Sequence, residues 1–304
     1  MIIKPRYEPS ELKLLKYLRI RLNLTSKEES YYSKLEKGYQ GERTFDKWIE
    51  PHLTDKLALN DLLLECSNTL FQIDSMVITS NTVYLFEVKN YEGDFYLDGD
   101  RWYTNAKTEI KNPLLQVKRN ESLVRRLLQE LGYSLPIQSY LIFVNPEFHL
   151  YQAPLHSPIV SPAQLNRFIT KLNKIPSTIK DTHLKLANHL RSMHLNETSY
   201  KRLPPYEYNM LQKGIPCPRC LTFYKSCMRT TFHCHTCGYK ERIDAAVMRS
   251  VSELQLLFPN TKITTNIIQE WCEVIDSKKI IWKVLSSNLT PIGYGKSCYY
   301  ISKE

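Results

Sequence analysis

Three ionisable side chains in two predicted strands could together bind a divalent cation. Glu87 and Lys89 stand two residues apart in the apolar run VYLFEVK, and Asp74 stands in the apolar run LFQIDSMVI. Side chains alternate along a strand, so Glu87 and Lys89 share a face, which is buried if the strand is central. Two carboxylates can hold a divalent cation, and the lysine would lie beside a metal-bound water. The alternative is a buried ion-pair cluster, which costs more desolvation than it returns.

An acidic residue two positions before a lysine is a common spacing, and by itself it does not single out Glu87 and Lys89. It occurs four times, beginning at Glu11, Glu87, Glu109 and Asp276. The copy at Glu87 lies in a run that is apolar on both faces, where an unpartnered charge is unfavourable. The context therefore favours Glu87 and Lys89 as functional residues.

Two predicted helices could add polar groups to the same site. Glu42 lies on the apolar face of a short amphipathic helix predicted over 39–49. Gln116 lies in the first turn of a helix that starts at an Asn-Pro pair, where amide donors can meet a phosphate, and Asn120 follows one turn later. The alternatives are that Glu42 complements the helix dipole and that Gln116 is a solvated polar residue.

Two CxxC pairs separated by thirteen residues predict a structural zinc site. Four thiolates from two tight turns close a tetrahedron around Zn²⁺ and leave no coordination position open for catalysis. Disulfides remain an alternative. The expected ligands are Cys217, Cys220, Cys234 and Cys237, with Cys227, His233 and His235 as nearby competitors.

The elements around the carboxylates alternate between helix and strand patterns, which predicts an α/β fold with a central mixed sheet flanked by helices. Asn112-Pro113 and Ser161-Pro162 are typical helix starts, and Asp98-Gly99 is a typical hairpin turn. The predicted strands of the sheet cover 57–66, 69–79, 83–90 and 140–144.

The pattern divides the chain into five parts, with Pro204-Pro205 as a linker between folding units. They are a helical arm (1–36), an α/β domain that holds the carboxylates (37–175), a basic helix and linker (176–213), a zinc ribbon (214–242) and a small α+β domain (243–304). The last part is predicted as helix, helix, strand (279–285) and strand (297–302). This order also fits a winged helix whose second helix, 265–275, would present Asn266 and Gln269 to nucleic acid.

Charge and composition indicate the partner class. The 304 residues carry a formal charge of +10, which favours a polyanion such as nucleic acid or an anionic membrane surface. Residues 61–100 carry eight acidic residues against one lysine, and residues 161–204 carry eight basic residues against two acids. No apolar run is long enough for a membrane span or a secretory signal, and the paired cysteines suit a reducing compartment, so we expect a cytoplasmic protein.

From about residue 39 to residue 144, the motifs resemble the nuclease-related domain, NERD, which is itself similar to the PD-(D/E)xK nuclease superfamily. The order of the predicted elements agrees with this resemblance, which covers less than half of the chain. The motifs are Gly41-Glu42, Ile73-Asp74, Phe86-Glu87-Val88-Lys89-Asn90-Tyr91-x-Gly93, Trp102 and Asn112-Pro113-x2-Gln116-x3-Asn120.

The resemblance implies a restriction-endonuclease-like core with a catalytic metal ion, Mg²⁺ or Mn²⁺. By this resemblance, Asp74, Glu87 and the carbonyl of Val88 would bind the metal. Lys89 would assist the attacking water, either as a fixed cation or as a proton acceptor.

Glu42 and Gln116 would complete the site, Glu42 by supporting a second metal or the water and Gln116 by meeting the scissile phosphate. The implied function is phosphodiester hydrolysis, with DNA favoured over RNA, in bacterial DNA processing or defence. Two alternatives remain at this point: a nucleic-acid-binding or sensing module that has lost activity, and a protein-interaction scaffold. The oligomeric state is open, and a homodimer is one of the options.

Overall fold

The computed structural model of the protein describes residues 1–195, 202–228 and 230–303. The helices are α1 (Ser10–Arg21), α2 (Ser26–Ile49), α3 (Pro113–Glu130), α4 (Pro162–Asn173), α5 (Asp181–Ser192), α6 (Ile243–Leu257), α7 (Thr265–Cys272) and α8 (Lys278–Asn288). The strands are β1 (Ile2–Lys4), β2 (Leu57–Cys66), β3 (Thr69–Ile78), β4 (Val83–Lys89), β5 (Gly93–Asp98), β6 (Arg101–Thr104), β7 (Glu109–Ile110), β8 (Ile137–Phe143), β9 (Phe148–Tyr151), β10 (Ile159–Val160), β11 (Cys227–Met228), β12 (Thr231–His233), β13 (Lys240–Arg242), β14 (Leu289–Ile292) and β15 (Tyr299–Ser302).

The chain forms two compact units, and each is discontinuous in sequence. Unit 1 contains Met1–Pro9 and Ser33–Lys201, and unit 2 contains Ser10–Tyr32 and Arg202–Glu304. This division is coarser than the five predicted parts, whose boundaries stay predictions. Within the described ranges, no helix combines the length and the apolar character that a bilayer crossing requires.

A mixed sheet with the strand order β1-β2-β3-β4-β8-β10 forms the centre of unit 1. Strands β2, β3 and β4 are antiparallel neighbours, and β8 then pairs in parallel with β4, from Val83 opposite Ile137 to Lys89 opposite Phe143. A parallel pair needs a crossover connection, and α3 lies in the connection between β4 and β8. The predicted α/β fold with a central mixed sheet is therefore confirmed.

Helices cover both faces of this sheet because the strand side chains alternate. Val83 and Leu85 belong to the core that contains Val124 of α3 and Leu190 of α5. Phe86, on the opposite face, belongs to a second core with residues of α2 and α4. Apolar side chains on both faces of β4 make it a central strand, as the sequence predicted.

A second sheet, with the order β7-β6-β5-β9, lies beside the first in unit 1. It contains the predicted hairpin, in which Leu97 pairs with Trp102. Trp102 is fully buried and stacks on Phe143 at the end of β8. This packing fixes the chain that follows β4, where the candidate site lies.

Unit 2 joins α1, the strands β11–β13 of the cysteine-rich segment, three consecutive helices and the hairpin β14–β15 in one core. Ile263, just before α7, bridges to Tyr300 of β15 and so ties the hairpin to the helices. The zinc-ribbon segment and the C-terminal helices share this core, which contains both Phe232 and Trp271.

Three predicted elements differ in the structure. Residues 279–285 were predicted as a strand, but they belong to α8, because Ile281, Val284 and Leu285 follow helical spacing and are all buried. The helix predicted over 265–275 ends at Cys272, because Glu273 has a left-handed φ of 53°. The predicted helix over 39–49 is the second half of the longer α2, and the N-terminal arm also contains β1.

A fully buried ion pair joins α1 to α6 in unit 2. The guanidinium of Arg21 donates to both carboxylate oxygens of Glu253, at 2.7 and 2.8 Å, and neither side chain is exposed to solvent. Arg21 also lies over the ring of Trp271, 4.0 Å from its centroid, and donates to the carbonyl of Gly214. Each charge is therefore compensated only while the other is present.

We expect Glu253→Ala to lower the free energy of unfolding of unit 2 by about 3–5 kcal/mol, because it leaves the buried guanidinium of Arg21 without its carboxylate. Arg242→Ala is the matched control, since it removes an exposed ion pair with Asp244 and should change stability by less than about 0.5 kcal/mol. Urea unfolding of both variants measures the difference. Equal losses in the two variants would contradict a structural role for the buried pair.

Candidate active site and metal centre

The register of β3 and β4 brings Asp74 and Glu87 side by side. Ser75 pairs with Phe86, so the next residues along the two strands are Asp74 and Glu87. The carboxylate of Asp74 accepts a hydrogen bond from the backbone N–H of Val88 at 2.8 Å. Only 7% of Asp74 and 4% of Glu87 is exposed to solvent. The predicted pair of carboxylates therefore lies together in the buried part of the sheet.

Lys89 completes a short chain of polar contacts with Glu87 and Gln116. The ammonium of Lys89 donates to Oε1 of Glu87 at 2.6 Å and to Oε1 of Gln116, in the first turn of α3, at 3.3 Å. The other carboxylate oxygen of Glu87, Oε2, is buried and accepts no hydrogen bond from any described residue. A buried carboxylate oxygen without a partner is unfavourable unless a cation occupies the space beside it.

The crowding of carboxyl groups raises their pKa values. Burial, followed by the charge of Asp74, raises the pKa of Glu87 to about 7 and that of Glu42 to about 8. Burial also raises the pKa of Asp74, against the opposing effect of Lys89. A divalent cation would relieve this repulsion and favour the ionised carboxylates, so the donor set fits a hard cation such as Mg²⁺ or Mn²⁺.

The environment of Lys89 favours its charged form. Burial alone lowers the pKa of Lys89, but the charge and hydrogen bond of Glu87, together with the charge of Asp74, outweigh it and raise the pKa above its ordinary value. Lys89 therefore pairs with Glu87 as a cation in this arrangement.

Arg6 is a part of the site that sequence reasoning missed. Its guanidinium is almost fully buried, forms an ion pair with Glu42, donates to Asp46 at 2.8 Å and donates to the carbonyl of Asp74 at 2.6 Å. Arg6 reaches the site because β1 pairs in parallel with β2 at the edge of the sheet. No motif surrounds Arg6 in the sequence, so only the pairing of β1 could have identified it.

A close helix–strand approach places Glu42 in the site. Gly41 is buried in α2, and a Cβ at this position would lie 2.6 Å from Cβ of Asn90, which follows β4. The amide of Asn90 also donates to the carbonyl of Lys37 in α2 at 2.8 Å. Glycine is therefore required before Glu42 because α2 packs directly on the end of β4.

One cleft of about 520 Å³ in unit 1 contains all of the predicted catalytic residues. Its rim includes two exposed lysines of α2, Lys34 and Lys37, and Lys37 pairs with Glu92 at 2.7 Å. The residues of the cleft that the sequence predicted are Glu42, Asp74, Glu87, Val88, Lys89 and Gln116.

The residues suggested for nucleic-acid binding lie elsewhere. Asn120 is buried and donates to the carbonyl of Gln72, so it ties α3 to β3. Asn266 and Gln269 lie on α7 in unit 2, where Gln269 donates to the carbonyl of Asp276 before α8. The cleft thus brings together the catalytic candidates without these three residues.

The other copies of the acid-x-lysine spacing lie in exposed surroundings. Their lysines, Lys13, Lys111 and Lys278, are all exposed. Lys89 is the copy whose ammonium contacts a buried carboxylate. The copy that the sequence context favoured is therefore the one that lies in buried surroundings.

The four cysteines of the CxxC pairs form a second site, in unit 2. Their sulfur atoms all lie within 4.8 Å of one another, with Cys217 and Cys237 at 3.7 Å and Cys220 and Cys234 at 3.4 Å. A disulfide requires about 2.05 Å, whereas a tetrahedral zinc site with Zn–S distances of about 2.3 Å has edges of about 3.8 Å. The geometry fits the predicted zinc ribbon and not disulfides.

Two matching turns hold these cysteines. Leu221 and Gly238, the residues that follow the CxxC pairs, have left-handed φ values of 64° and 72°. In each turn, the backbone N–H of this residue donates at 2.9 Å to the carbonyl of the first cysteine of its pair. Among the described residues, the metal-binding cluster includes neither Cys227 nor the two neighbouring histidines.

Comparison with protein families supports the first site. Residues 37–144 match the family model of the nuclease-related domain, NERD. The match covers less than half of the chain, contains the predicted catalytic residues and ends before the cysteine pairs. Searches of curated proteins and of solved structures returned no match to the chain.

Two glycines of α2 give a test of the close approach at the site. We expect Gly41→Ala to destabilise unit 1 by about 1–3 kcal/mol, because its Cβ would overlap Asn90. Gly38→Ala, one turn earlier, meets no atom within 4 Å and should stabilise the helix by up to about 1 kcal/mol. Urea unfolding measures both effects, and changes of the same sign would contradict the packing described.

We expect the purified protein to contain one zinc ion per chain, and Cys220→Ser to lose it and to unfold the ribbon, because the remaining thiolates cannot complete the tetrahedron. Cys227→Ser should keep the zinc, since Cys227 lies nearby but outside the cluster. Elemental analysis of protein purified under reducing conditions measures the zinc. Zinc-free wild-type protein, or equal loss from both variants, would rule out this site.

Proposed function

We propose that the protein is a divalent-metal-dependent nuclease that hydrolyses phosphodiester bonds, with DNA as the favoured substrate. The catalytic residues in this proposal are Glu42, Asp74, Glu87, Lys89 and Gln116, and the metal ligands are Asp74, Glu87 and the carbonyl of Val88. The match of residues 37–144 to the nuclease-related domain supports the reaction class.

The observation that carries the proposal is the unpartnered Oε2 atom of Glu87. A structural ion-pair cluster would satisfy its buried acceptors, but Oε2 has no donor among the described residues while Oε1 accepts a hydrogen bond from the ammonium of Lys89. The buried carboxylate of Asp74 lies on the neighbouring strand. An acceptor left free beside a second carboxylate is what a cation site requires.

When bound, Mg²⁺ or Mn²⁺ would supply Lewis-acid charge to the phosphate and lower the pKa of a coordinated water. The chain itself provides a second positive charge. Glu87 and Gln116 fix the ammonium of Lys89 at 2.6 and 3.3 Å, so it can stabilise negative charge that develops on the phosphate without reorganisation. The amide N–H groups of Gln116 have no partner among the described residues and are available to a phosphate oxygen.

Arg6 and Glu42 support this arrangement from α2 and the N-terminal strand. Arg6 links Glu42 and Asp46 to the backbone at Asp74, so it compensates carboxylates on two elements at once. With Arg6 in place, Glu42 stays close to Asp74, whose charge contributes to its raised pKa. Glu42 is therefore available to support a second cation or to orient the attacking water.

The charge of the chain supports a nucleic-acid substrate. The formal charge is +10, and Lys34 and Lys37 lie at the rim of the cleft that contains the carboxylates. Exposed lysines there can hold the flanking phosphates while the acidic centre holds the metal. Four of the eight cysteines form the metal-binding cluster, and paired thiolates of this kind suit a reducing compartment such as the cytoplasm.

Cleavage of supercoiled DNA with Mn²⁺ tests the proposal. We expect Lys89→Ala to lower the cleavage rate by about 10²–10³-fold, because it removes a fixed charge from the transition state while binding without added metal is retained. Lys13→Ala removes an exposed lysine in another copy of the same acid-x-lysine spacing and should cleave like the wild type.

Equal rates for Lys89→Ala and wild type would overturn the catalytic assignment. Wild-type protein that binds DNA or RNA but cleaves neither, with Mg²⁺ or Mn²⁺, would instead indicate an inactive binding module. Absence of binding at low salt would indicate the scaffold alternative, because nucleic-acid binding by a basic protein weakens with salt and is strongest there.

A further inference from the structure

Unit 2 contains a helix–turn–helix arrangement that the sequence had concealed. Helices α7 and α8 are joined by only the five residues 273–277, and the hairpin β14–β15 follows α8 directly. Ile263 forms a single β-bridge with Tyr300, which ties the segment before α7 to the hairpin. In a helix–turn–helix, the second helix is the one that enters the groove of a nucleic acid. In this protein that helix is α8, where a strand had been predicted.

The two faces of α8 differ sharply in chemistry. Ile281, Val284 and Leu285 are buried in the core of unit 2. Lys279, Trp282 and Lys283 stand at i, i+3 and i+4 on the opposite side, and all three are exposed. Trp282 has 53% of its surface exposed, although tryptophan is usually highly buried. An exposed tryptophan between two lysines indicates a surface that binds a partner.

The charge of this face favours a polyanion. Helix α8 contains three lysines, Lys278, Lys279 and Lys283, and no acidic residue. Within the described part of the chain, none of the three forms an ion pair. Lysines that are not compensated by nearby carboxylates are available to phosphate groups.

The hairpin loop that follows α8 has a second exposed aromatic residue. Tyr294 is 96% exposed at the tip of the loop, between Gly293 and Gly295, which have left-handed φ values of 80° and 58°. This loop and α8 belong to one compact unit, because Lys303 at the end of β15 donates to the carbonyl of Ser287. An exposed tyrosine in the loop that follows a basic helix suits contact with a sugar–phosphate backbone.

We propose that α8 and the loop at Tyr294 form a binding surface for double-stranded DNA, with Lys279, Trp282 and Lys283 directed to the major groove. This inference rests on the proposed function for its substrate class and adds a binding element outside the catalytic cleft. The major groove of B-DNA admits an α-helix, whereas the major groove of double-stranded RNA is too deep and narrow for side chains to read. The basic face argues against an apolar or basic protein partner.

Binding of a 30-base-pair DNA duplex, measured by fluorescence anisotropy without added Mg²⁺ or Mn²⁺, tests this surface. The double variant Lys279→Glu with Lys283→Glu should bind at least about tenfold more weakly, and its salt dependence should correspond to about two fewer phosphate contacts. Trp282→Ala should also weaken binding, since it removes the aromatic contact without changing charge.

The control is the double variant Lys171→Glu with Lys174→Glu, which makes the same charge change at exposed lysines of unit 1. It should retain the affinity of the wild type apart from a small general charge effect. Retained zinc content in the α8 variants establishes that unit 2 is folded. Equal affinities of the α8 and control variants for the DNA duplex would overturn the proposal. The proposal would also be overturned if the α8 substitutions weakened the binding of duplex RNA as much as the binding of duplex DNA.

The outcomes separate this proposal from the nuclease assignment. Lys89→Ala should abolish cleavage and keep the binding that depends on α8. Binding that depends on α8 in a protein that never cleaves would support the surface and contradict the nuclease. If cleavage depends on Lys89 and the α8 substitutions change neither cleavage nor binding, the binding surface is contradicted and the nuclease assignment is not.

Discussion

The burial of negative charge in the central sheet is the constraint on which the site depends. Asp74 and Glu87 occupy neighbouring strands whose buried side chains are mostly apolar, and burial raises the pKa of both groups. Two cationic side chains compensate these carboxylates. Lys89 lies on the same strand as Glu87, and Arg6 lies in the N-terminal segment. Oε2 of Glu87 has no hydrogen-bond donor among the described residues. This missing donor is the strongest physical argument for a cation at the site.

The packing around the site follows from the same need to hold charges in fixed positions. Gly41 lets α2 approach Asn90 closely, and the first turn of α3 brings Gln116 to Lys89. These contacts depend on the close approach of the α2 backbone to the end of β4 and on the capped start of α3. The apolar cores around the site hold these elements in place and so support the site rigidly. The zinc ribbon combines two kinds of support, because its two turns present four sulfur atoms to one point while Phe232 packs in the large core of unit 2.

The sequence predicted the elements whose pattern is local and strong. Apolar runs located β2, β3 and β4, and the alternation of side chains along a strand placed Glu87 and Lys89 on one face. Arg6 could not be predicted, because its role arises from a parallel pairing between distant segments. Helix α8 was misread because Ile280-Ile281-Trp282 resembles a buried strand, and in a short apolar run the strand and helix patterns are ambiguous. The error also hid the exposed face of α8.

The discontinuity of unit 2 in sequence has a consequence for biosynthesis. Helix α1 leaves the ribosome early, but its partners in the core, including Glu253 for Arg21, lie 232 residues later. At about 5–20 residues per second, α1 waits roughly 10–50 seconds for them. During this time Leu14 and Leu18 lack the core that buries them in the finished protein. The nascent chain thus exposes the apolar face of α1 while residues 33–201 of unit 1 are being made, and during this interval a chaperone can bind that face.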